Sequence, residues 1–205
     1  MPTTTNYPNG QQLISTALTQ TQITNLIQTL TCGMIGVVPP DFSKVRTEWP
    51  TQGQPFTQLP SQDACYIMCV PSDSDYSRVR DTALSLANGK LTQTWQYTRN
   101  WRVSWVFYGP NSTDNARAVN SAVVFMDFFA SLLNLQNLYP VSDPPEPTRA
   151  PENFNAQWWD RTDFHVDMYE QITETIQPGV VTSVEISVQH QSGQVADITV
   201  QQETS

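Results

Sequence analysis

The sequence predicts an α+β fold in which an antiparallel β-sheet packs against one long and one short α-helix, with a projecting β-hairpin. Three observations predict it. Residues 101–108 alternate between two faces and are rich in aromatic side chains, which is typical of a core strand. Residues 112–135 carry apolar side chains at helical spacing, and residues 158–200 alternate again in several runs. A chain of 205 residues with 39% hydrophobic content can form one core.

The N-terminal region is predicted to contain a polar arm followed by a short helix. Residues 1–19 are rich in Thr, Asn and Gln, so an irregular lead-in is expected. Thr19 or Thr21 is a suitable N-cap, and Gly33 is placed to end the helix. The apolar stripe of this helix, within residues 21–32, consists of Ile23, Leu26, Ile27 and Leu30.

A proline-rich stretch then leads into a buried strand. Residues 39–60 contain five prolines, which leaves room for one short strand around Lys44–Trp49. Residues 64–70 form an apolar run bounded by turn residues, which predicts a strand buried on both faces.

The dipeptide Asn88-Gly89 is the strongest local turn signal. Both residue types tolerate the positive φ angles of a type I′ turn, which matches the twist of paired strands. A hairpin with arms at about 78–87 and 90–99 is therefore predicted. The alternative is a short helix at 77–87.

The helix at 112–135 is expected to be the longest element. Asn111 or Ser112 can cap it, and its apolar surface is too wide for one neighbour to cover. The sheet would cover one side, and the helix at 21–32 or a neighbouring subunit would cover the rest. Its two apolar stripes consist of Ala116, Val119, Val123, Met126 and Ala130, and of Phe125, Phe128, Leu132 and Leu135.

The C-terminal third is predicted to be a proline connector followed by antiparallel strands. Residues 139–153 hold five prolines, including Pro144 and Pro145, and are expected to be stiff and extended. Two further alternating runs follow turns at Pro178-Gly179 and Ser192-Gly193. The first long strand is expected to place Trp158, Phe164, Val166 and Met168 on one face.

The charge pattern argues against nucleic-acid and membrane binding. The net charge is −9, only 14% of residues are charged, and no block of Lys and Arg occurs. No apolar run reaches the length of a membrane span, and the N-terminus lacks the features of a signal peptide. Cys32, Cys65 and Cys69 are expected to be reduced, buried thiols of a protein made in a cytoplasm.

No catalytic, cofactor or metal site is predicted. Phosphate-binding, nucleophile-elbow and zinc-protease motifs are absent from the sequence. Asp163, His165 and Asp167 share one strand face, which permits an acid–base or metal hypothesis, but a solvated face explains them better. Cys65 and Cys69 are not accompanied by the closely spaced histidine pair of a zinc site, since His165 and His190 lie far apart in the sequence, so buried thiols explain them better.

Trp159 and Arg161 are candidate interface residues. Trp159 points away from its neighbour Trp158, so it belongs either to a second core layer or to an interface, where Trp and Arg are common anchors. A carbohydrate-binding module or hydrolase using the tryptophans with Asp163 and Asp167 is an alternative. Carboxylates four positions apart on a strand lie roughly 13 Å from each other, which is too far for glycoside hydrolysis.

Two segments resemble a known family. The first is Asn100-Trp101-Arg102-Val103-Ser104-Trp105-Val106-Phe107-Tyr108-Gly109-Pro110-Asn111, followed by a helix with Asp114 and Arg117. The second is Glu152-Asn153-Phe154-Asn155-Ala156-Gln157-Trp158-Trp159-Asp160-Arg161, with a closing strand Val184-Glu185-Ile186-Ser187-Val188. In this order, over roughly residues 60–190, the chain is similar to the neck, or tail terminator, proteins of tailed bacteriophages.

The resemblance implies an α+β subunit of a hexameric ring in the virion, on the head-proximal end of the tail tube. Such rings stop tube polymerisation, join the head-side connector and, in contractile tails, meet the sheath. DNA would cross the acidic lumen without specific binding. The predicted divisions are an arm at 1–19, one domain at 20–200 and a polar tail at 201–205. A head-completion, stopper or adaptor protein of the neck is the alternative.

A ring subunit must also reach its neighbours. The hairpin turn and the proline connector are the candidate segments for this contact. The candidate interface residues are therefore Asn88, Gly89, Pro144, Pro145, Trp159 and Arg161.

Overall fold

The computed structural model describes residues 2–8, 11–47, 59–73, 75–87, 90–154, 156–177, 183–189 and 195–201. Within these residues the helices are α1 (Gln20–Met34), α2 (Ser112–Phe125) and α3 (Asp127–Asn134), with a 3-10 turn at Asp75–Arg78. The strands are β1 (Thr3–Asn6), β2 (Gln12–Ser15), β3 (Val45–Thr47), β4 (Ala64–Ser72), β5 (Arg80–Ala87), β6 (Lys90–Tyr108), β7 (Leu138–Pro140), β8 (Thr148–Arg149), β9 (Glu152–Phe154), β10 (Gln157–Trp159), β11 (Arg161–Ile176), β12 (Ser183–Gln189) and β13 (Val195–Gln201).

These elements confirm the predicted α+β class. Nine strands belong to one sheet, whose main path runs β1-β2-β11-β6-β4-β3, with β5 on β6 and both β7 and β8 on β11. Most pairs are antiparallel, and β3 pairs with β4 in parallel. The strands β9 with β10, and β12 with β13, form separate two-stranded sheets.

The chain divides into two compact units. Unit 1 comprises Met1–Thr16, Asp81–Gln96 and Thr173–Ser205, and unit 2 comprises Ala17–Arg80 and Tyr97–Ile172. The strands β5, β6 and β11 contribute residues to both units. The division into an arm at 1–19, a domain at 20–200 and a tail at 201–205 stays a prediction.

The core of unit 2 lies on one face of β4 and β6. Alternation along β6 buries every second side chain, and Cys65, Ile67 and Cys69 of β4 lie opposite them in the antiparallel register. The Trp105 ring stacks on Phe164 at 5.4 Å between centroids, and its Nε1 donates to Thr31 Oγ1 at 2.9 Å. The buried side chains that β6 supplies to this core are Trp101, Val103, Trp105 and Phe107.

The opposite face of β4 and β6 carries a second, smaller cluster. It contains Ala64, Tyr66, Tyr108 and Trp159, with the partly buried Val106 beside them. The predicted burial on both faces holds for residues 64–67, whereas further along the strand Met68, on the face of the second cluster, is 42% exposed.

Helix α1 forms where the sequence predicts it, and its start is fixed by side chains. Thr19 Oγ1 accepts from the Gln22 amide at 3.2 Å, while the Gln22 side chain accepts from the Thr19 amide at 2.8 Å, a capping box. Ile23 and Ile27 are buried on the core side. The helix continues beyond Gly33, and Gly36, at φ 74°, is the glycine that follows its end.

One buried carboxylate anchors the entry to α1. Glu170 of β11 is fully buried and accepts from the Leu18 amide at 2.6 Å, from Arg99 Nε at 2.8 Å and from Trp101 Nε1 at 2.7 Å. Arg99 also donates to the Leu18 carbonyl at 2.5 Å and lies over the Trp101 ring. This carboxylate can be buried because the N–H groups that bond to it, one of them on a charged arginine, compensate for the loss of water.

The expected single helix at 112–135 is wrong in one respect, since it is broken at Met126. Met126 has φ −96° and ψ 101°, and the two helices meet at a bend of 69°. The bend aims α3 so that Phe129 and Leu133 enter the core, while Phe125 stays 80% exposed. Both helices satisfy the same helical period, so the spacing alone could not indicate the break.

The N-terminal lead-in is not irregular as expected. Thr3 to Asn6 pair with Gln12 to Ser15, and Ser15 pairs in turn with Glu174 of β11. Thr is β-branched and favours extended backbone, and β11 supplies the partner. The distant pairing decides the structure of this polar segment, and composition does not reveal it.

The predicted hairpin forms as the pair β5 and β6, and the alternative helix at 77–87 does not. Its turn residues, Asn88 and Gly89, lie outside the described residues. The predicted strand at Lys44–Trp49 is β3, in the part of that range that the structure describes.

The connector at 139–153 is held on β11 at both ends. Met168 pairs with Pro140 in β7, and Asp163 pairs with Thr148 in β8. Only residues 141–147 run without a strand between them.

The C-terminal alternation is confirmed as β12 and β13. Ile186 pairs with Ile198 at the centre of their antiparallel register. The predicted turns at Pro178-Gly179 and Ser192-Gly193 lie outside the described residues.

Candidate assembly surfaces

The carboxylates that suggested chemistry are held in ion pairs. Asp163 binds Arg161 at 2.7 and 2.8 Å, and Asp167 binds Arg102 at 2.8 and 3.0 Å. Hydrogen bonds from Arg102 lower the pKa of Asp167. His165 is exposed between them. In the part of the chain that the structure describes, no group of three or more His, Cys, Asp or Glu side chains could hold a metal ion.

Arg161, predicted as an interface anchor, is bound within its own chain. Besides Asp163, its guanidinium contacts Glu152 at 2.7 Å, and Glu152 accepts from the Tyr108 hydroxyl at 2.8 Å. Burial, followed by the hydrogen bond to Glu152, raises the pKa of Tyr108, and the hydrogen bonds to Asp163 raise the pKa of Arg161. The network ties the start of β11 to β9 and to the end of β6.

Trp158 is not in the core as expected, whereas Trp159 lies in a second core layer, one of the two places expected for it. Trp159 is 5% exposed and meets Tyr108 edge to face at 6.1 Å, so within its chain it belongs to the second cluster. Trp158, expected in the core with Phe164, is 71% exposed. Asp160 interrupts the extended run between β10 and β11, and its backbone carbonyl accepts from the Gly109 amide at 3.1 Å. Alternation cannot be carried across that break.

The remaining predicted interface residues lie in loops. Pro144 is half-buried and Pro145 exposed, in the segment between β7 and β8. Asn88 and Gly89 lie outside the described residues.

A run of exposed apolar side chains in unit 2 lies at the bend between α2 and α3. Taking about 150–250 Å² for a large side chain, its exposed fractions leave on the order of 500 Å² of apolar surface. That is near the upper end for a monomer, and patches of this size are often functional. We call it the elbow patch; its members, with exposed fractions, are Val124 (38%), Phe125 (80%), Met126 (50%), Phe128 (66%) and Leu135 (76%).

The second apolar stripe of the predicted helix gave the signal for this patch. Phe125, Phe128 and Leu135 were assigned to it, and the helix break leaves them uncovered by the described residues. Asp127, at the first position of α3, is the one charged side chain within the 124–135 segment.

A second exposed surface lies on β5. All eight of its residues are exposed, with Leu84 at 65% and Leu86 at 72%. Strand alternation places both leucines on one face with Arg80 and Thr82, and we call this the β5 face. The Arg80 guanidinium lies 4.9 Å from the centre of the Tyr97 ring.

A polar cavity of about 510 Å³ opens beside the end of α1. Lys44, Arg46 and Asp63 are among its lining residues. Arg46 donates to the Ser43 carbonyl, and Asp63 accepts two hydrogen bonds from Asn111. Because charges of both signs line it, the cavity is not arranged around one class of ligand.

The cysteines are buried, as predicted. Cys32, Cys65 and Cys69 are free thiols in unit 2. Burial raises the pKa of all three, that of Cys69 to about 11. They therefore stay protonated and unreactive at neutral pH.

One further finding concerns membranes. No single helix among those described has the length and apolar character of a membrane span, although α2 and α3 counted together across their 69° bend do.

The comparisons with known proteins agree with the resemblance seen in the sequence. A family model described as phage neck terminator protein matches residues 21–194. A comparison with curated proteins gave no significant match. The matched region contains α1, the aromatic strand β6, the bent pair α2 and α3, and the strands β9 to β11. Since the match covers most of its length, the chain belongs to the phage neck terminator protein family.

Proposed function

We propose that this chain forms a closed ring, a hexamer, at the head-proximal end of the phage tail tube. The ring stops tube polymerisation and joins the tail to the head-side connector, and in a contractile tail it also meets the sheath. The protein is made in the bacterial cytoplasm and acts as a structural part with no catalytic step. The observation that carries this proposal is the family match across residues 21–194.

The exposed surfaces support a ring. A closed ring of identical copies brings two different surfaces of each copy into contact. The elbow patch and the β5 face are two such surfaces among the described residues. The hairpin turn at Asn88 and Gly89 and the loop with Pro144 and Pro145 are proposed to reach neighbouring subunits, as are Trp159 and Arg161.

The charge distribution supports a lumen that DNA crosses without being bound. The net charge of −9 repels phosphate. Five of the ten basic side chains, all arginines, already contact carboxylates of the same chain and are partly neutralised. A non-specific grip on DNA needs clustered free cations.

Deletion of the gene tests the proposal. Without a terminator, tube subunits continue to add, so we expect electron micrographs of infected cells to show tails of uncontrolled length and heads without tails. Expression of the gene from a plasmid must restore tails of uniform length. Normal-length tails that attach to heads in the deletion would reject the proposal.

The same micrographs identify the alternative neck component. A head-completion or stopper protein would leave tails of normal length beside heads that have lost their DNA. Six-fold rings in micrographs of the purified protein would support the hexamer.

A further inference from the structure

We propose that, in this ring, the elbow patch of one copy binds the β5 face of the next copy. The inference rests on the proposed ring and goes beyond it by naming the two surfaces that meet. The occupant of the elbow patch is thus a second copy of this chain.

The elbow patch has the chemistry of a binding surface for apolar side chains. Phe128 and Leu135 lie seven residues apart, on one face of α3, and the partly buried Leu132 lies between them at the fourth position. Phe125 and Met126 continue the surface across the bend. Asp127 is the charged residue within this segment, and between Arg117 and Arg149 the sequence has no basic residue.

The β5 face complements the elbow patch in apolar character and in charge. Leu84 and Leu86 supply apolar side chains from a strand, and Arg80 lies on the same face, four residues before Leu84. A leucine pair seated against Phe128 and its neighbours leaves Arg80 as the cation for Asp127. The match of apolar to apolar and of Arg80 to Asp127 favours this pairing over contact between two elbow patches, which would bring like charges together.

The size of the elbow patch fits one side of a specific contact. It exposes on the order of 500 Å², about half of the roughly 1,000 Å² in total that a specific interface requires, and the exposed side chains of the β5 face supply the other side. Each copy carries one surface of each kind, and both are exposed in the described chain. A head-to-tail ring covers both surfaces in every copy, whereas a different partner on the elbow would leave the leucines of the β5 face exposed.

Cysteine cross-linking tests the contact. Leu84→Cys and Phe128→Cys are introduced together, and a short bismaleimide is added to the purified protein and to purified phage particles carrying the variant. Both positions are largely exposed, so the fold should tolerate the changes, and circular dichroism checks it. The native thiols are buried, which keeps background labelling low. We expect a ladder of covalent multimers on denaturing gels.

Two controls show that the link joins the intended surfaces of different copies. Copies with only Leu84→Cys and copies with only Phe128→Cys carry different tags, and their co-assembly must give a cross-linked pair with both tags. In the matched control, Asp114→Cys replaces Phe128→Cys. Asp114 is exposed on the same helix pair but roughly 16 Å from Phe125 by helical rise, so no ladder is expected.

The outcomes separate this inference from the proposed function. Particles that contain the protein at the neck but give no ladder, or that link Phe128→Cys to a different protein, overturn the elbow–β5 contact alone. Particles without the protein at the neck overturn both. A ladder with the Leu84 pair and none with the Asp114 pair supports the contact.

A charge exchange provides a second readout. Arg80→Asp alone and Asp127→Arg alone should each lower the yield of the ladder by about two- to fivefold, as expected for an exposed ion pair. The two together should restore it. Equal loss in the double variant would overturn the pairing of Arg80 with Asp127.

Discussion

Glu170 shows how one buried side chain can fix two distant parts of a chain. It lies on β11, yet its three donors come from the residue before the α1 cap and from β6. Glu170 lies on the buried face of β11, in the same alternating series as Phe164, Val166 and Met168. A carboxylate at a core position of a strand is the sequence signal for such a network, and its partners become known only from the structure.

Replacement of Glu170 should therefore cost much more than replacement of its neighbour Asp167. Glu170→Ala leaves Arg99 and two buried N–H groups without their acceptor, and we expect the free energy of unfolding to fall by about 3–5 kcal/mol. Asp167→Ala removes a surface ion pair and should cost less than about 1 kcal/mol. Urea denaturation at neutral pH measures both. Equal costs would show that the Glu170 network is not stabilising.

The ion pair between Arg102 and Asp167 should make the free energy of unfolding depend on pH in a known direction. Because Arg102 lowers the pKa of Asp167 in the folded state, its contribution is present above the unfolded pKa of about 3.9 and is lost as the pH falls through the lower folded value. The wild type and Asp167→Ala should therefore converge in stability in strong acid.

At the scale of elements, the turn from β6 to α2 depends on Gly109. Its φ is 102°, and a Cβ there would lie 2.5 Å from Asp63 Oδ1 and 2.6 Å from the Gln62 carbonyl oxygen. Gly33, inside α1, is different, since a Cβ there would meet Phe129 at an ordinary 3.5 Å.

The two glycines should respond to alanine in opposite directions. Gly109→Ala forces an unfavourable φ and a clash, and we expect a loss of about 2 kcal/mol or more. Gly33→Ala should stabilise the protein by about 0.5–1 kcal/mol, because alanine favours a helix interior. Thermal denaturation followed by circular dichroism compares them, and a stable Gly109→Ala variant would contradict the turn geometry.

The elements that depend on local signals could be predicted from the sequence. The capping residue Thr19 and the apolar stripe define α1, and Asn88-Gly89 indicates the pair β5 and β6. The elements that depend on distant contacts could not. β2 pairs with β11 about 160 residues away, and α3 turns at Met126 because Phe129 and Leu133 reach the core.

For the candidate assembly surfaces, the sequence indicated which residue types are involved better than it indicated where they lie. The excess apolar surface of residues 112–135 was visible in the sequence, and it became the elbow patch. Trp159 and Arg161 were chosen by residue type, but their surroundings depend on the strand break at Asp160 and on the carboxylates of Glu152 and Asp163. Alternation contains no information on either.

At the scale of the whole molecule, charge should control assembly. Each copy carries a net charge of −9, which outweighs the single Arg80–Asp127 attraction proposed between copies. Raising the salt concentration from about 10 mM to 150 mM shortens the screening length from roughly 30 to 8 Å. We expect sedimentation velocity at fixed protein concentration to show larger assemblies at the higher salt. Dissociation with added salt would mean that opposite charges dominate the contacts.

As a phage neck protein the chain is part of the virion. Oxygen and peroxides attack thiolates, and exposed cysteines would become sulfenic acids or link neighbouring particles. Cys32, Cys65 and Cys69 are enclosed in the interior of unit 2, where burial disfavours the thiolate form. The released particle can therefore persist in air without a reductant, and its neck should show no oxidative ageing at these sulfurs while unit 2 stays folded.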